Sequence, residues 1–290
     1  MMRRNNFPFS AVLGLNHAKT AILVVLVNPR AGGLLISGPQ GIGKSTLMRS
    51  TQELIERPWR DIPVSVTEDR LFGTIDTEKA IYSGQKKLYP GIINEADQGV
   101  LYLDDANLLR EDLLDSILNI AEVGAYQLER DGLSLRCDTS FTVIAAINPE
   151  SGMLSGACLD QFGLFVNVDN IHDENTRVEI LKRTISFEKD CASFCKLWKL
   201  ENEKIKKAIH SAMSLLPKVV VSSAMIQLAS VYALKAHVSG HRADIYLIEA
   251  ARALAALAER RYVLPKDLEK AADYIAYLHQ GKLLLCEEKD

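Results

Sequence analysis

The sequence predicts an α/β protein: a mostly parallel sheet flanked by helices, followed by an all-helical C-terminal domain. Three observations carry this. Apolar runs bounded by turn residues recur at 34–37, 62–66, 100–103, 141–147 and 164–168, with helical stretches between them; that alternation belongs to parallel strands covered by helices. A glycine-rich octapeptide, Gly38-Pro39-Gln40-Gly41-Ile42-Gly43-Lys44-Ser45, joins the first run to a helix, which places a ligand at the carboxyl edge of the strands. From about residue 174 strand signals fade, and helical periodicity holds through 174–189, 200–215, 222–238, 241–260 and 265–280.

Taken in order, Arg3-Arg4 is followed by an apolar run too short for a signal peptide. Ala21 to Val27 is apolar throughout but far shorter than a membrane span; it reads as the inner face of a helix that stops at Asn28-Pro29. Leu34 to Ser37 suits a buried parallel strand. The octapeptide then matches the phosphate-binding pattern G-x-x-x-x-G-K-[ST] without mismatch. Its glycines let backbone N–H groups curl around an anion, and the helix that opens at Thr46-Leu47-Met48-Arg49 and ends near Pro58 adds a positive N-terminus. Lys44 reaches the β- and γ-phosphates in this reading, and the Ser45 hydroxyl sits on Mg²⁺. The competing reading, a glycine turn that binds nothing, explains neither the Lys-Ser pair nor the two flanks.

Val100 to Leu103 is an apolar strand ending in Asp104-Asp105. Beside a phosphate loop, Asp104 is the candidate to hold Mg²⁺ through water and Asp105 the candidate to orient or deprotonate the attacking water; both residues also suit the cap of the following helix. A helix over 111–123 leads into Ala125-Tyr126-Gln127-Leu128-Glu129 and Leu133-Ser134-Leu135-Arg136, which alternate with period two around Arg130-Asp131-Gly132 and predict a β-hairpin. The run Phe141 to Ile147 ends in Asn148-Pro149-Glu150: a polar amide at a strand tip that positions water, or an ordinary turn. Beyond 174, Pro217 and Pro265 mark helix boundaries.

The 290 residues fit one large domain or two smaller ones, and the net charge of −3 implies no strongly basic face, so nucleic acid is not the default partner. Five cysteines at 137, 158, 191, 195 and 286 are unpatterned, which suits a reducing cytosol. Cys191 and Cys195 read as two buried thiols one helical turn apart. His237 and His241 lack the H-E-x-x-H arrangement. A soluble, cytoplasmic protein without membrane partners is expected.

These residues carry a family resemblance that runs over nearly the whole chain. Asn28-Pro29-Arg30-Ala31-Gly32-Gly33-Leu34-Leu35-Ile36-Ser37-Gly38, Thr67-Glu68-Asp69-Arg70-Leu71-Phe72-Gly73, Tyr89-Pro90-Gly91, Gly99 through Leu109, Leu128-Glu129-Arg130-Asp131-Gly132 and Leu159-Asp160-Gln161-Phe162-Gly163 together resemble the AAA+ ATPase subunit of magnesium chelatase. The motor subunit of the cobalt-inserting chelatase looks equally similar. The resemblance implies an AAA+ phosphate-loop NTPase core over 1–186, with the hairpin 125–136 as an insertion, and a helical lid over 187–290. It implies ATP and Mg²⁺ as cofactors. It also implies a ring of copies of the chain, usually a hexamer, a second AAA+ subunit with an integrin-like domain, and a large catalytic subunit that inserts the metal into a tetrapyrrole. Asn148 falls at the first sensor position and Arg242 at the second, both toward the γ-phosphate. The implied sites are thus Gly38 to Thr46 for nucleotide, Ser45 and Asp104 for the metal, and Asp105, Asn148 and Arg242 for catalysis.

Two departures bear on mechanism. The family's acidic strand usually ends Asp-Glu, where this chain has Asp104-Asp105; a carboxylate about 1 Å short can cost on the order of a hundredfold in rate. The family's Leu-Asp-Arg-Phe-Gly is here Leu-Asp-Gln161-Phe-Gly, and loss of an arginine finger costs roughly 10³ to 10⁵ in turnover. Arg177 and Arg183 are the candidates to compensate. The expectation is firm nucleotide binding with slow hydrolysis, set against two alternatives: a hydrolysis-poor scaffold, and an AAA+ chaperone of metalloenzyme maturation.

Overall fold

The computed structural model describes residues 6–75, 88–130, 133–235 and 241–275. Arg3-Arg4, the hairpin-turn residues Asp131 and Gly132, His237, Gly240, Cys286 and the ends 236–238 and 276–280 of two expected helices lie outside them. In chain order the elements are α1 (Asn16–Val27), β1 (Leu34–Ser37), α2 (Lys44–Ser50), β2 (Trp59–Ile62), α3 (Glu68–Phe72), β3 (Gly73–Ile75), β4 (Leu88–Pro90), α4 (Ile92–Glu95), β5 (Val100–Leu103), α5 (Glu111–Val123), β6 (Ala125–Arg130), β7 (Leu133–Asp138), β8 (Thr142–Ile147), α6 (Gly156–Leu159), β9 (Leu164–Asn167), α7 (Glu174–Lys189), α8 (Cys191–Leu215), α9 (Ser223–Lys235) and α10 (Arg242–Leu257). A last helix, α11, covers 265–275. They fall into two compact units, Arg57–Gln161 and Met1–Glu56 with Phe162–Asp290.

In the unit Arg57–Gln161, β5 pairs in parallel with β2 on one side and β8 on the other, Ile62 opposite Leu103 and Leu103 opposite Ala145. β5 and β8 are buried at every residue, the continuous apolar pattern of strands covered on both faces. Helix α5 buries Leu113, Leu114, Ile117, Leu118 and Ile120, one face at helical spacing. Glu111 and Asp112 in its first turn suit the positive end of the helix dipole, and Gly124 in the left-handed region closes it. The hairpin β6–β7 forms as read, Ala125 opposite Asp138 and Arg130 opposite Leu133. Tyr126 anchors it: its hydroxyl donates to Phe72 O at 2.7 Å and Asn94 Oδ1 at 2.5 Å. Burial first, then the Cys137 thiol, pushes this phenol well above its ordinary range.

Two expectations need correction in this unit and the segment before it. The strand placed at 62–66 lies at Trp59–Ile62 instead. Pro63 has no N–H to continue a ladder, and Val66 N donates to Pro63 O at 3.0 Å to close a turn. The helix after the glycine loop, expected to run to Pro58, is α2 followed by a tight 3₁₀ turn at Thr51–Leu54. There the Ser50 hydroxyl bonds back to Leu47 O at 2.5 Å and the Thr51 hydroxyl to Met48 O, the side-chain competition that shortens helices. The antiparallel pair β3–β4 was not foreseen.

In the other unit β1 and β9 pair in parallel, Leu34 opposite Leu164 and Ser37 opposite Asn167. Helix α1 buries Ala18, Ala21, Ile22 and Val24 to Val27 and stops at Asn28, whose side chain caps the 3₁₀ turn Pro29–Ala31 by accepting from Arg30 N. Helix α8 begins at Cys191, earlier than the 200–215 stretch, because the Asp190 carboxylate accepts from Ser193 N at 3.0 Å. Cys191 and Cys195 are half-buried rather than buried. Alanines along α10 (Ala243, Ala250, Ala251, Ala253, Ala255, Ala256) are buried, giving a smooth face that packs on α1, α8 and α9. Buried Asn28 ties α10 down, donating to Glu249 O at 3.0 Å and Glu249 Oε2 at 2.6 Å, while Arg252 pairs with Glu249 at 2.9 Å. Among the described residues no helix is long and apolar enough to cross a membrane.

The approach of β9 to the Pro29–Ala31 turn admits no side chain at Gly163. A Cβ there would lie 1.7 Å from Ala31 O, a backbone atom, while Gly163 N donates to Gly32 O at 2.5 Å. Gly163→Ala is therefore expected to destabilise the protein by about 3 kcal/mol or more. Denaturant unfolding checks this; a midpoint within error of the parent chain would contradict the packing.

Candidate active site

The phosphate loop leaves β1 at Gly38 and enters α2 at Lys44. Gly41 and Gly43 hold φ of 81° and 96°, a conformation L-residues rarely adopt. No atom lies within 4 Å of a Cβ built on either, so the demand is for backbone freedom and not for space. Lys44 is buried, 7% exposed. Its ammonium donates to Gly38 O and, at 2.8 Å, to Pro39 O, so the side chain folds over its own loop. Gln40, Gly41 and Thr46 are exposed, and Pro39, Ile42, Gly43 and Ser45 half-buried. The loop thus presents backbone N–H groups, a helix start and one ammonium together, the composition of an anion cradle.

In the same unit Arg242 is the first residue of α10 and solvent-exposed. A cation at a helix N-terminus works against the helix dipole by about 0.3–1 kcal/mol. His241, fully exposed just before it, lies 3.7 Å from Asp244.

The unit Arg57–Gln161 carries the acidic strand end. Because β5 and β8 are paired neighbours, Asp104 and Asp105 leave the sheet beside Asn148. The Asp104 carboxylate accepts the buried Tyr102 hydroxyl at 2.8 Å. Asp105 occupies the cap position of the 3₁₀ turn Ala106–Leu108, yet its carboxylate makes no capping hydrogen bond. Its backbone has φ +50°, the left-handed region that Asp and Asn tolerate best among non-glycine residues. Asn148 is buried and forms the turn that its Asn-Pro sequence allows: Oδ1 accepts from Glu150 N at 3.2 Å and Nδ2 donates to Ser151 Oγ at 3.3 Å.

Gln161 follows α6, its N–H donating to Cys158 O at 3.2 Å. Arg183, one of the two candidates to compensate for Gln161, is engaged by neighbours in its own unit. It pairs with Glu179 at 2.9 Å, donates to Ala11 O at 2.9 Å and lies 4.6 Å from the Trp198 ring centroid. Arg177 is exposed.

Sequence reading passed over two residues. Asn107 bridges the acidic turn and the Asn148 turn, donating to Asn148 O at 3.2 Å and Gly152 O at 3.0 Å. Lys19, in the polar first turn of α1 ahead of its apolar stretch, donates to Val12 O and lies 5.4 Å from the Phe9 ring centroid; nothing in the local sequence marks it. Burial first, and then the Arg183 charge, brings its amine down from 10.5 to about 8. Between those values the unfolded chain binds the extra proton, so this group makes stability rise with pH across that window. Titration of the labelled Lys19 amine by NMR is expected to give a midpoint near 8; an unshifted midpoint would mean a solvated side chain.

Comparison with known proteins identifies the family. Residues 33–161 match the family model of the AAA domain (dynein-related subfamily), and residues 227–277 that of the AAA lid domain. The chain is 33% identical to the magnesium-chelatase subunit ChlI homolog of Methanocaldococcus jannaschii, covering 94% of this chain and 85% of that protein. It is 34% identical to the magnesium-chelatase 38 kDa subunit of Rhodobacter capsulatus, covering 94% and 87%, and 32% identical to that of Chlorobaculum tepidum, covering 92% and 78%.

Proposed function

Because the chain belongs to the family of AAA+ ATPase subunits of magnesium chelatase, we propose that it is the motor of a metal chelatase. It couples ATP hydrolysis to insertion of magnesium or cobalt into a tetrapyrrole held by a partner subunit. The observation that carries this reading is the phosphate loop, with Gly41 and Gly43 in the left-handed region and Lys44 at the start of α2. In this reading residues 1–186 are the nucleotide-binding domain and 187–290 the lid.

Gly38 to Thr46 wrap the triphosphate, and Lys44 turns from its own loop carbonyls to the β- and γ-phosphates. The Ser45 hydroxyl and the Asp104 carboxylate are hard oxygen donors that suit Mg²⁺, which when bound neutralises charge on the phosphates. Asp105 orients or deprotonates the attacking water. Asn148 reports the γ-phosphate by exchanging its bond to Ser151, and Arg242 carries that report to the lid. The working assembly is a ring of this chain, a hexamer as in the family pattern. It stands with a second AAA+ subunit bearing an integrin-like domain and a large catalytic subunit, in the cytoplasm, with no role for nucleic acid or membrane.

Calorimetry with MgATP, then steady-state hydrolysis with and without the partner subunits, tests this. Nucleotide binding with partner-stimulated turnover is expected. No uptake of adenine nucleotide overturns the whole reading. Binding without turnover in the full complex leaves the scaffold reading, which Asp105 and Gln161 favour.

A further inference from the structure

We propose that Asn107 is a positioning residue for hydrolysis: its amide locks the turn that carries Asn148 to the turn that carries Asp105. This rests on the motor reading above. Past the ends of β5 and β8 no ladder holds the two chain segments together, and the Asn107 side chain spans them. Its Nδ2 donates to Asn148 O at 3.2 Å and Gly152 O at 3.0 Å, the first and last residues of one tight turn. Both partners are carbonyl oxygens, so the amide cannot be reversed without setting oxygen against oxygen. That fixed orientation leaves Oδ1 buried without a hydrogen-bond partner. An apolar side chain of the same shape would avoid that orphaned acceptor; the group present instead provides two donors.

The segment it holds is strained. Asp105 sits at φ +50°, with Leu108 N donating to its carbonyl at 2.9 Å across the Ala106–Leu108 turn. Such a conformation persists where its surroundings over-determine it. Asn107 lies within that turn and ties it to the Asn148 turn. The Asn148 amide is in turn oriented by Glu150 N and Ser151 Oγ. Asn107 therefore sets the spacing between the carboxylate of Asp105 and the amide of Asn148 through bonds to backbone carbonyls. It belongs to the hydrolytic step and not to nucleotide capture, which the phosphate loop performs.

The test uses the full chain with Asn107→Leu, which keeps the shape and removes both donors, and Asn107→Ala. MgATP affinity is measured by calorimetry, single-turnover hydrolysis with labelled ATP, and unfolding by circular dichroism. Expected are folded proteins with MgATP affinity within about twofold of the parent and hydrolysis slowed tenfold to a hundredfold, the scale of an ångström-sized misplacement. Unchanged hydrolysis overturns the proposal. So does a parallel loss of affinity and melting temperature in both variants, which assigns the amide to stability alone. If the parent chain itself takes up no MgATP, the motor reading fails and this inference falls with it; parent binding with normal hydrolysis in both variants removes only the role of Asn107.

Discussion

Lys44→Ala is expected to lower ATP turnover by about 10² to 10³, the scale for removing one preorganised donor from a developing negative charge, and to weaken MgATP binding in the same experiment. The melting temperature is expected to change little. The structure explains why the two readouts separate. Lys44 is 7% exposed, and ammonium groups are seldom buried so deeply unless they are paired. Here its bonds include Gly38 O and Pro39 O, carbonyls of the loop that would release it to a phosphate. Alanine at the first position of α2 is a good helix former, so removal of the ammonium exchanges polar contacts for helix propensity, a stability change of about 1 kcal/mol or less. Calorimetric titration with MgATP, paired with a thermal melt, measures both. A variant that hydrolyses ATP like the parent would place the nucleotide somewhere other than this loop.

How much of this was legible in sequence depended on whether the signal was local. β1, β5, β8 and β9 were readable because strands buried on both faces are continuous apolar runs. β2 was misplaced because it is Trp-Arg-Asp-Ile, with one buried residue and two exposed; among the described residues it pairs only with β5, and an edge strand that faces water carries no such run. The phosphate loop was legible as a spacing, since its glycines, lysine and serine act within eight consecutive residues. Asp104 and Asp105 were legible as a pair at a strand end, but the left-handed backbone of Asp105 was not, because aspartate adopts both conformations. Asn107 was invisible for a different reason. Its partners lie 41 and 45 residues away, and nothing in the run Asp-Asp-Ala-Asn marks the asparagine as the one that reaches across to the next strand.

The second large effect runs toward gain. Gln161→Arg is expected to raise turnover of the assembled protein by up to about 10³, the lower end of what an arginine finger contributes, and to leave a dilute, unassembled chain unchanged, because the guanidinium acts on a neighbour's nucleotide. Of the two candidates to compensate, Arg183 is held by Glu179, Ala11 O and the Trp198 ring, and Arg177 is exposed. Gln161 is half-buried after α6, and the next residue, Phe162, is 1% exposed and anchors the chain. Asp105→Glu addresses the other departure and is expected to yield less. A carboxylate moved closer to the water is worth at most about a hundredfold, but Glu at φ +50° forgoes the tolerance of Asp for the left-handed region, a penalty of about 1–2 kcal/mol that offsets roughly tenfold of the gain. Measuring ATPase rate per chain against protein concentration separates the two: the Gln161→Arg gain appears only as the ring assembles, and the Asp105→Glu gain at every concentration. A concentration-independent gain in Gln161→Arg would show that the new arginine serves its own chain's site; no gain at any concentration would show that an arginine at this position does not limit turnover.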